Sequence, residues 1–323
     1  LDRLETQAAE PLATDALALY QLAEARQLQG DEPRALATAE KAVKVSARRT
    51  TDHVQMASTL LDRGLLRWAD YEFTYVLEHD KPGTVASLWA ATRYSELLHD
   101  RGLHRQAGEV RQRIVDAVEN DPDHPTLQAL SQLESTVEEF RSRMHYFFSC
   151  DYAARNDAEH RLDELKKAIA IHDTDEDVLI ALFHLPPESD ADRQVIRESL
   201  NKAVEKNREL IRKEPEESMG YNQLAWLVAN TEGDFDEAIK LAQRAIQLRR
   251  DEAARLGVPA RVGGYYDTLA HCYAAKKDYA NAVKSQLEAT QLDPHSRQIA
   301  DKLALFRQRL ADQLSLAAPA VGK

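Results

Sequence analysis

The chain has 323 residues with only 11 Gly, 11 Pro and 7% aromatic residues, a composition that favours helices and argues against a β-rich fold. Lys and Arg number 42 against 54 Asp and Glu, so the net charge of −12 repels phosphate groups and makes nucleic acid a poor partner. No stretch reaches the roughly 18 apolar residues of a membrane span, so we expect a soluble chain without membrane insertion, and any signal peptide would lie upstream of Leu1.

The N-terminal third contains three copies of one pattern, in which a glycine separates two helical segments. Gly30, Gly64 and Gly102 lie 34 and 38 residues apart, which is close to a constant period. Small and large apolar residues recur around each glycine, as expected where two helices pack closely. These residues are Leu19, Leu22, Ala23, Ala35, Ala39 and Ala42 in the first copy, Met56, Ala57, Leu60, Leu66 and Ala69 in the second, and Tyr94, Leu98 and Ala107 in the third.

A long segment without helix breakers follows these copies. From Thr126 to Arg155 there is neither Gly nor Pro, and apolar residues recur at helical intervals. We therefore predict one helix of about 30 residues, longer than the usual three or four turns. A fourth copy of the pattern overlaps its end, with Asn156 at the turn position, because Asn also tolerates a left-handed backbone.

The rear half has a proline-rich break and then the two clearest copies. Pro186 and Pro187 predict the end of a short helix, and a long helix is predicted over about 191–213. The first clear copy has Tyr221, Leu224, Ala225, Gly233, Phe235, Ala238, Ala242 and Ala245, and the second has Tyr266, Leu269, Ala270, Tyr273, Ala282, Ala289 and Pro294.

The last two helices are predicted over 278–291 and about 295–315. A repeat array needs a terminal helix that covers its open apolar end. The final helix has the residues for this role, and the apolar face that we predict comprises Ile299, Leu303, Leu305, Phe306 and Leu310.

These spacings resemble the tetratricopeptide repeat family, strongly over 219–294, fairly over 16–115 and only by pattern over 140–215. Gln286 departs from the family, which usually has an aromatic residue there. The resemblance implies an all-α, right-handed superhelical array (an α-solenoid) of antiparallel helix pairs, with about six repeats and a capping helix. We expect the regions to be N-terminal repeats (1–122), a long connecting helix (123–156), divergent helical repeats (157–218), C-terminal repeats with the capping helix (219–316) and a flexible tail (317–323).

Nothing in the sequence indicates catalysis. Motifs of P-loop nucleotide binding, zinc-dependent proteolysis and serine hydrolysis are all missing, so we expect no catalytic residue and no cofactor. His99 and His104 flank a turn that we expect to be solvated, and we predict no metal site there. Cys150 and Cys272 are expected to be structural, because each lies within a helix where a small apolar residue packs well.

The resemblance implies a concave groove lined by the first helix of each pair, and this groove is the predicted binding site for a protein or peptide. Its candidate residues are Tyr20, Glu24, Arg93, Glu96, Tyr146, Asn222, Trp226, Asp267 and His271. Relatives that clamp the C-terminal carboxylate of chaperones need Lys and Arg at these positions, whereas here only Arg93 comes near and Asn222 alone matches a clamp asparagine. We therefore predict a basic or apolar partner. The alternative is a structural or regulatory segment of a larger polypeptide that packs against a missing domain.

Overall fold

The computed structural model describes residues 14–46, 49–121, 124–132, 135–187 and 189–317. Within these ranges the regular secondary structure consists of sixteen helices and contains no strand, which confirms the all-α prediction. The helices are α1 (Ala16–Leu28), α2 (Glu32–Ser46), α3 (Thr50–Asp62), α4 (Leu66–His79), α5 (Val85–Asp100), α6 (His104–Asn120), α7 (Thr126–Gln132), α8 (Val137–Ala154), α9 (Ala158–Ile171), α10 (Glu176–Phe183), α11 (Asp190–Lys213), α12 (Ser218–Asn230), α13 (Phe235–Leu256), α14 (Gly263–Ala275), α15 (Tyr279–Leu292) and α16 (Arg297–Ala317).

Consecutive helices pair across short connections, as in a helical repeat array. In the described ranges there are seven pairs, namely α1–α2, α3–α4, α5–α6, α8–α9, α10–α11, α12–α13 and α14–α15. The first helix of each pair is called the A helix and the second the B helix. The α10–α11 pair corresponds to none of the six repeat copies found in the sequence, although both of its helices were predicted, one ending before Pro186 and the other over about 191–213.

The helices divide between two compact units. Unit 1 comprises Leu1–His99 and Arg105–Met144, and unit 2 comprises Asp100–His104 and His145–Lys323. Helix α8 therefore contributes its first turns to unit 1 and its remaining turns to unit 2. The finer domain limits expected from the sequence stay a prediction.

The core of unit 1 sets small residues against large aromatic ones. Ala35, Ala39 and Ala42 on α2 are fully buried, and they belong to the same apolar cluster as Tyr20 and Trp68. Because each alanine presents only a methyl group, α2 lies close to its neighbours without leaving a gap. The predicted role of these alanines in close helix crossings is confirmed.

The turns between paired helices need a left-handed backbone. Gly30 and Gly64 have φ angles of 80° and 72°, which residues with a Cβ atom rarely adopt. Asn156 has a φ of 58° at the turn between α8 and α9, as its position in the pattern predicted. Lys277 has a φ of 60° at the turn between α14 and α15, which nothing in its residue type indicated.

The prediction of one long helix over 126–155 is wrong. The helical conformation ends at Gln132 and resumes at Val137. The break is a capping box, because Thr136 Oγ1 accepts the Glu139 N–H at 3.1 Å while Glu139 Oε2 accepts the Thr136 N–H at 3.2 Å. These reciprocal bonds satisfy backbone donors at the start of α8, and so they favour a new helix over continuation of the old one.

Unit 2 contains both the shortest A helix and a long B helix. Helix α10 has eight residues, and α11 has 24 and starts where Ser189 Oγ accepts the Asp192 N–H at 3.1 Å. The predicted helix over about 191–213 is therefore confirmed. The A helices α12 and α14 have 13 residues each and pack side by side.

Helix α16 covers the end of the last pair, as predicted. Ile299, Leu303 and Phe306 are buried on this helix. Leu310 is partly buried, whereas Leu305 is 40% exposed, so the prediction that Leu305 belongs to the apolar face is wrong. Leu305 lies two residues after Leu303 and one before Phe306, which turns it away from the helix face that they share. Of the predicted tail, residue 317 is the last of α16, and 318–323 lie outside the described residues.

Candidate functional site

Tyr20 is not available to a partner, so its assignment to the groove is wrong. Its side chain is fully buried, and its hydroxyl donates a hydrogen bond to Glu72 Oε1 at 2.6 Å. Burial raises the pKa of Tyr20, and the negative charge of Glu72 raises it further. Glu72 is itself fully buried and also contacts His53 Nδ1. Tyr20 therefore belongs to a polar network inside unit 1 that connects α1, α3 and α4.

Two further candidates in unit 1 lie closer to the surface. Glu24 is partly buried, and its Oε2 accepts a hydrogen bond from Trp68 Nε1 at 2.8 Å. The Arg67 guanidinium lies 4.9 Å from the centre of the Trp68 ring. Glu24 thus orients a buried tryptophan in addition to facing solvent. The other candidate, Arg93 on α5, is exposed.

Glu96 does not contribute a free negative charge. Its carboxylate contacts Arg111 Nη2 at 3.0 Å and Arg143 Nη2 at 2.8 Å. Desolvation raises the pKa of Glu96, but the two guanidinium groups outweigh this effect and hold the pKa at about 2. The Arg111 guanidinium also lies 4.6 Å from the centre of the Phe140 ring. These contacts connect α5, α6 and α8, so Glu96 stabilises unit 1 rather than presenting an acidic surface.

In unit 2, Tyr146 is partly buried against the apolar cluster of Leu165, Ala168, Val178 and Leu182. Its ring therefore contributes to packing between α8, α9 and α10, and part of the residue stays exposed. The other four predicted residues lie on the A helices α12 and α14.

Those four residues lie on two helices that pack against each other. Asn222 and Trp226 lie one turn apart on α12, and Asp267 and His271 lie one turn apart on α14. The rings of Trp226 and His271 are 4.9 Å apart between centroids. Trp226 remains partly exposed, and its Nε1 donates a hydrogen bond to Asp177 Oδ1 at 2.8 Å. The indole ring is thus fixed from both sides, by α10 and by α14.

The hydrogen bonds around His271 define its tautomer. Asn230 Nδ2 donates to the Trp226 carbonyl at 2.9 Å, so Asn230 Oδ1 faces His271 Nδ1 at 2.7 Å and accepts its proton. His271 Nε2 is then a bare acceptor, and it is buried without a hydrogen-bond partner among the described residues. Burial and, to a smaller extent, the positive charge of Lys302 together lower the pKa of His271 to about 3.

Asp267 and Gln286 form a second polar pair. Gln286 is fully buried on α15, and its Nε2 donates both to Asp267 Oδ1 and to the Ile299 carbonyl at 3.1 Å. Burial raises the pKa of Asp267 to about 6, although the bond from Gln286 and the charge of Lys302 act in the opposite direction. In the part of the chain that the structure describes, Gln286 Oε1 and Asn222 Oδ1 are buried oxygens that also have no hydrogen-bond partner.

Sequence reasoning missed the residues that hold this arrangement in place, namely Asp177, Asn230, Gln286 and Lys302. Gln286 was visible as a departure from the family pattern, and a buried amide at an aromatic position indicates a polar network. The residues of the site supply hydrogen-bond acceptors and an aromatic ring. Across the described ranges, no group of three or more His, Cys, Asp or Glu side chains is placed to hold a metal ion. No helix in those ranges combines the length and the apolar character needed to span a bilayer.

The tetratricopeptide repeat family model matches residues 264–296, which include most of α14 and all of α15. No curated protein matches the chain. The chain is similar to the solved TPR domain of P58(IPK), with 18% identity, 94% of this chain and 90% of that chain covered, and a TM-score of 0.30. It is similar to the TPR2AB domain of yeast Sti1 in a complex with pHSP90 (15% identity, 81% and 98% covered, TM-score 0.29). A third similar structure is Acl4, described as the assembly chaperone of RpL4 (13% identity, 94% and 100% covered, TM-score 0.30).

Proposed function

We propose that the chain is a tetratricopeptide repeat protein that acts as a non-catalytic scaffold and binds a segment of a partner protein along the α12–α14 surface. This surface comprises Asn222, Trp226, Asp267 and His271. The proposal rests mainly on Trp226, which is partly exposed and already fixed in one orientation. Tryptophans of this kind often dominate the binding energy of protein interfaces.

The fixed orientation favours binding because little side-chain freedom is lost when a partner arrives. Asp177 holds the indole N–H, and the His271 ring packs against the indole. The ring can therefore present its apolar surface without rearrangement, which reduces the entropy cost of association. We expect the partner to place an apolar side chain against Trp226.

The polar atoms of the surface favour a partner that donates hydrogen bonds. Asp267 is partly exposed, and within the described ranges its carboxyl group has a hydrogen bond from Gln286 but no ion pair. A backbone N–H or a basic side chain of the partner matches this acceptor. The sequence predicted a basic or apolar partner for the whole groove. Glu24 and Glu96 do not support a basic partner, because both carboxylates already have partners in unit 1.

The test compares Trp226→Ala with a matched control, Trp89→Ala. Trp89 is 43% exposed on α5, so its replacement removes the same aromatic group from another part of the chain. Partners captured from the native host by the parent protein are identified, and their affinities for the parent and both variants are measured by calorimetry. Trp226→Ala should weaken binding by about 2 kcal/mol, or about 30-fold, while Trp89→Ala should leave it unchanged.

Thermal unfolding of both variants is measured first, since Trp226 also packs against His271. A correctly folded Trp226→Ala protein that binds every captured partner with the parent affinity would refute the proposal.

A further inference from the structure

Unit 2 contains a second candidate site, an apolar pocket between the B helices α9 and α11. Its apolar wall consists of Leu162, Ile169, Leu182, Leu185, Val195 and Ile196, and its volume is about 130 Å³. A neighbouring pocket of about 260 Å³ shares Leu182, Leu185 and Ile196 with it and adds Arg193, Arg197 and Glu232. The two spaces are therefore parts of one site, called the double pocket here.

The double pocket exists because α10 is too short to fill the space between its neighbours. Helix α10 ends at Phe183 after eight residues, whereas the A helices α12 and α14 have 13. Pro186 and Pro187 prevent α10 from continuing, because proline lacks the N–H that a helix needs and restricts the residue before it. Their fixed φ angles also stiffen the segment that forms the rim, so the pocket is formed before any ligand arrives.

The apolar part has the size of one aliphatic side chain. A cavity of about 150 Å³ lined by aliphatic groups can accommodate a benzene molecule, so about 130 Å³ suits a leucine or a similar residue. Val195 lies at the mouth and is 57% exposed, which is unusual for a valine that lines a concave surface. Covering it removes apolar area from water, which favours binding.

The polar part carries more positive than negative charge, because Arg193 and Arg197 line it with a single acidic residue, Glu232. Within the described part of the chain, the Arg193 guanidinium has no hydrogen bond or ion pair, and Arg197 Nε lies 3.9 Å from Glu232 Oε1 in an exposed pair. On the apolar side, Lys166 and Asp192 both line the pocket, and the Asp192 carboxylate accepts the Ser189 hydroxyl at 2.7 Å. In a chain of net charge −12, two arginines beside an apolar pocket favour a carboxylate ligand.

We propose that the double pocket binds a protein segment in which a leucine-like side chain is followed directly by an acidic residue. The apolar side chain enters the space beside Val195 and Ile196, and the carboxylate contacts Arg193 and Arg197. This site is separate from the α12–α14 surface and takes a partner of the opposite charge preference. The two surfaces would let one scaffold hold two different segments.

The test is an NMR titration of the full chain labelled at its isoleucine methyl groups. The probe is a short acetylated peptide with the sequence Ser-Leu-Glu-Glu-Ser, and the comparison peptide has Lys in place of both Glu residues. Ile169 and Ile196 line the pocket and should shift with saturation, while Ile239 on α13 should not. The lysine peptide should bind at least about tenfold more weakly, since like charges repel across an interface.

Two variants locate the interaction, each with a matched control elsewhere in unit 2. Arg193→Glu should weaken binding of the acidic peptide at least about tenfold, and Arg255→Glu, at an exposed position on α13, should not change it. Val195→Gln should weaken binding several-fold, whereas Val258→Gln, at a site 50% exposed, should not. The variant Trp226→Ala should bind the peptide normally, which separates this proposal from the proposed function.

Three results would overturn the proposal. In the first, the isoleucine signals show no saturable shift up to millimolar peptide. In the second, the acidic and lysine peptides bind with equal affinity, and in the third the shifts depend on protein concentration alone. The last would show that a second copy of the chain occupies the pocket.

Discussion

Replacing Asp267 with asparagine should stabilise the protein at neutral pH. Burial holds the pKa of this carboxyl group at about 6, against an ordinary value of 3.8. At about 1.4 kcal/mol per pH unit, the gap between these values corresponds to about 3 kcal/mol. Because the folded-state pKa is the higher one, the protonated form favours folding, and this contribution is lost as the pH rises from about 4 to about 6. Asparagine does not titrate, and its oxygen can still accept the hydrogen bond from Gln286.

The measurement is urea unfolding of the parent and Asp267→Asn proteins, followed by circular dichroism at several pH values from about 4 to about 7. The variant should gain stability relative to the parent across this range, by up to about 3 kcal/mol at the upper end. Asp251→Asn is the control, because Asp251 accepts a similar bond from Gln247 at an exposed site. A stability difference between Asp267→Asn and the parent that stays constant with pH would refute the reasoning.

Three further predictions concern packing, capping and the terminal helix. Ala282 is fully buried between α14 and α16, so Ala282→Leu should overpack the contact and lower stability by about 1–3 kcal/mol. The control Ala280→Leu, at an exposed site on α15, should not lower stability, and equal thermal melting of the two variants would show that the assigned register is wrong. Thr136→Ala should cost about 1 kcal/mol in urea unfolding because it removes the cap at the start of α8, and no change would argue against the capping box. Deletion of 295–323 exposes the faces of α14 and α15, so solubility and helical content should fall, and retention of both would show that α16 is not a cap.

Local sequence rules predicted the repeat architecture because its decisive features are local. Gly30 and Gly64 indicated their turns through a backbone conformation that other residues avoid. The break before α8 was not predicted, because the segment contains neither Gly nor Pro. Thr136 and Glu139 have the spacing of a capping box, which also starts a helix. Lys277 adopts the same left-handed conformation in a Schellman motif that ends α14, where the Asp278 N–H donates to the Tyr273 carbonyl at 2.9 Å and the Lys277 N–H to the Ala274 carbonyl at 2.8 Å.

The candidate site was only partly predictable, because its chemistry depends on partners distant in the chain. The repeat register assigned Trp226 and His271 to the A helices of successive repeats, and the structure places their ring centroids 4.9 Å apart. The same register could not show that Glu72 binds Tyr20, or that Arg143 lies next to Glu96. These pairs are separated by 52 and 47 residues, and no spacing rule connects them.

The bond from the buried Gln286 amide to the Ile299 carbonyl also affects how the C-terminal end opens. If α16 detached alone, Gln286 would lose a partner that the remaining core does not replace, and an unsatisfied buried amide costs about 1–3 kcal/mol. Separation of α16 is therefore coupled to loosening of α15. In native-state hydrogen exchange, the backbone amides of these two helices should exchange as one cooperative opening unit rather than fraying turn by turn from the chain end.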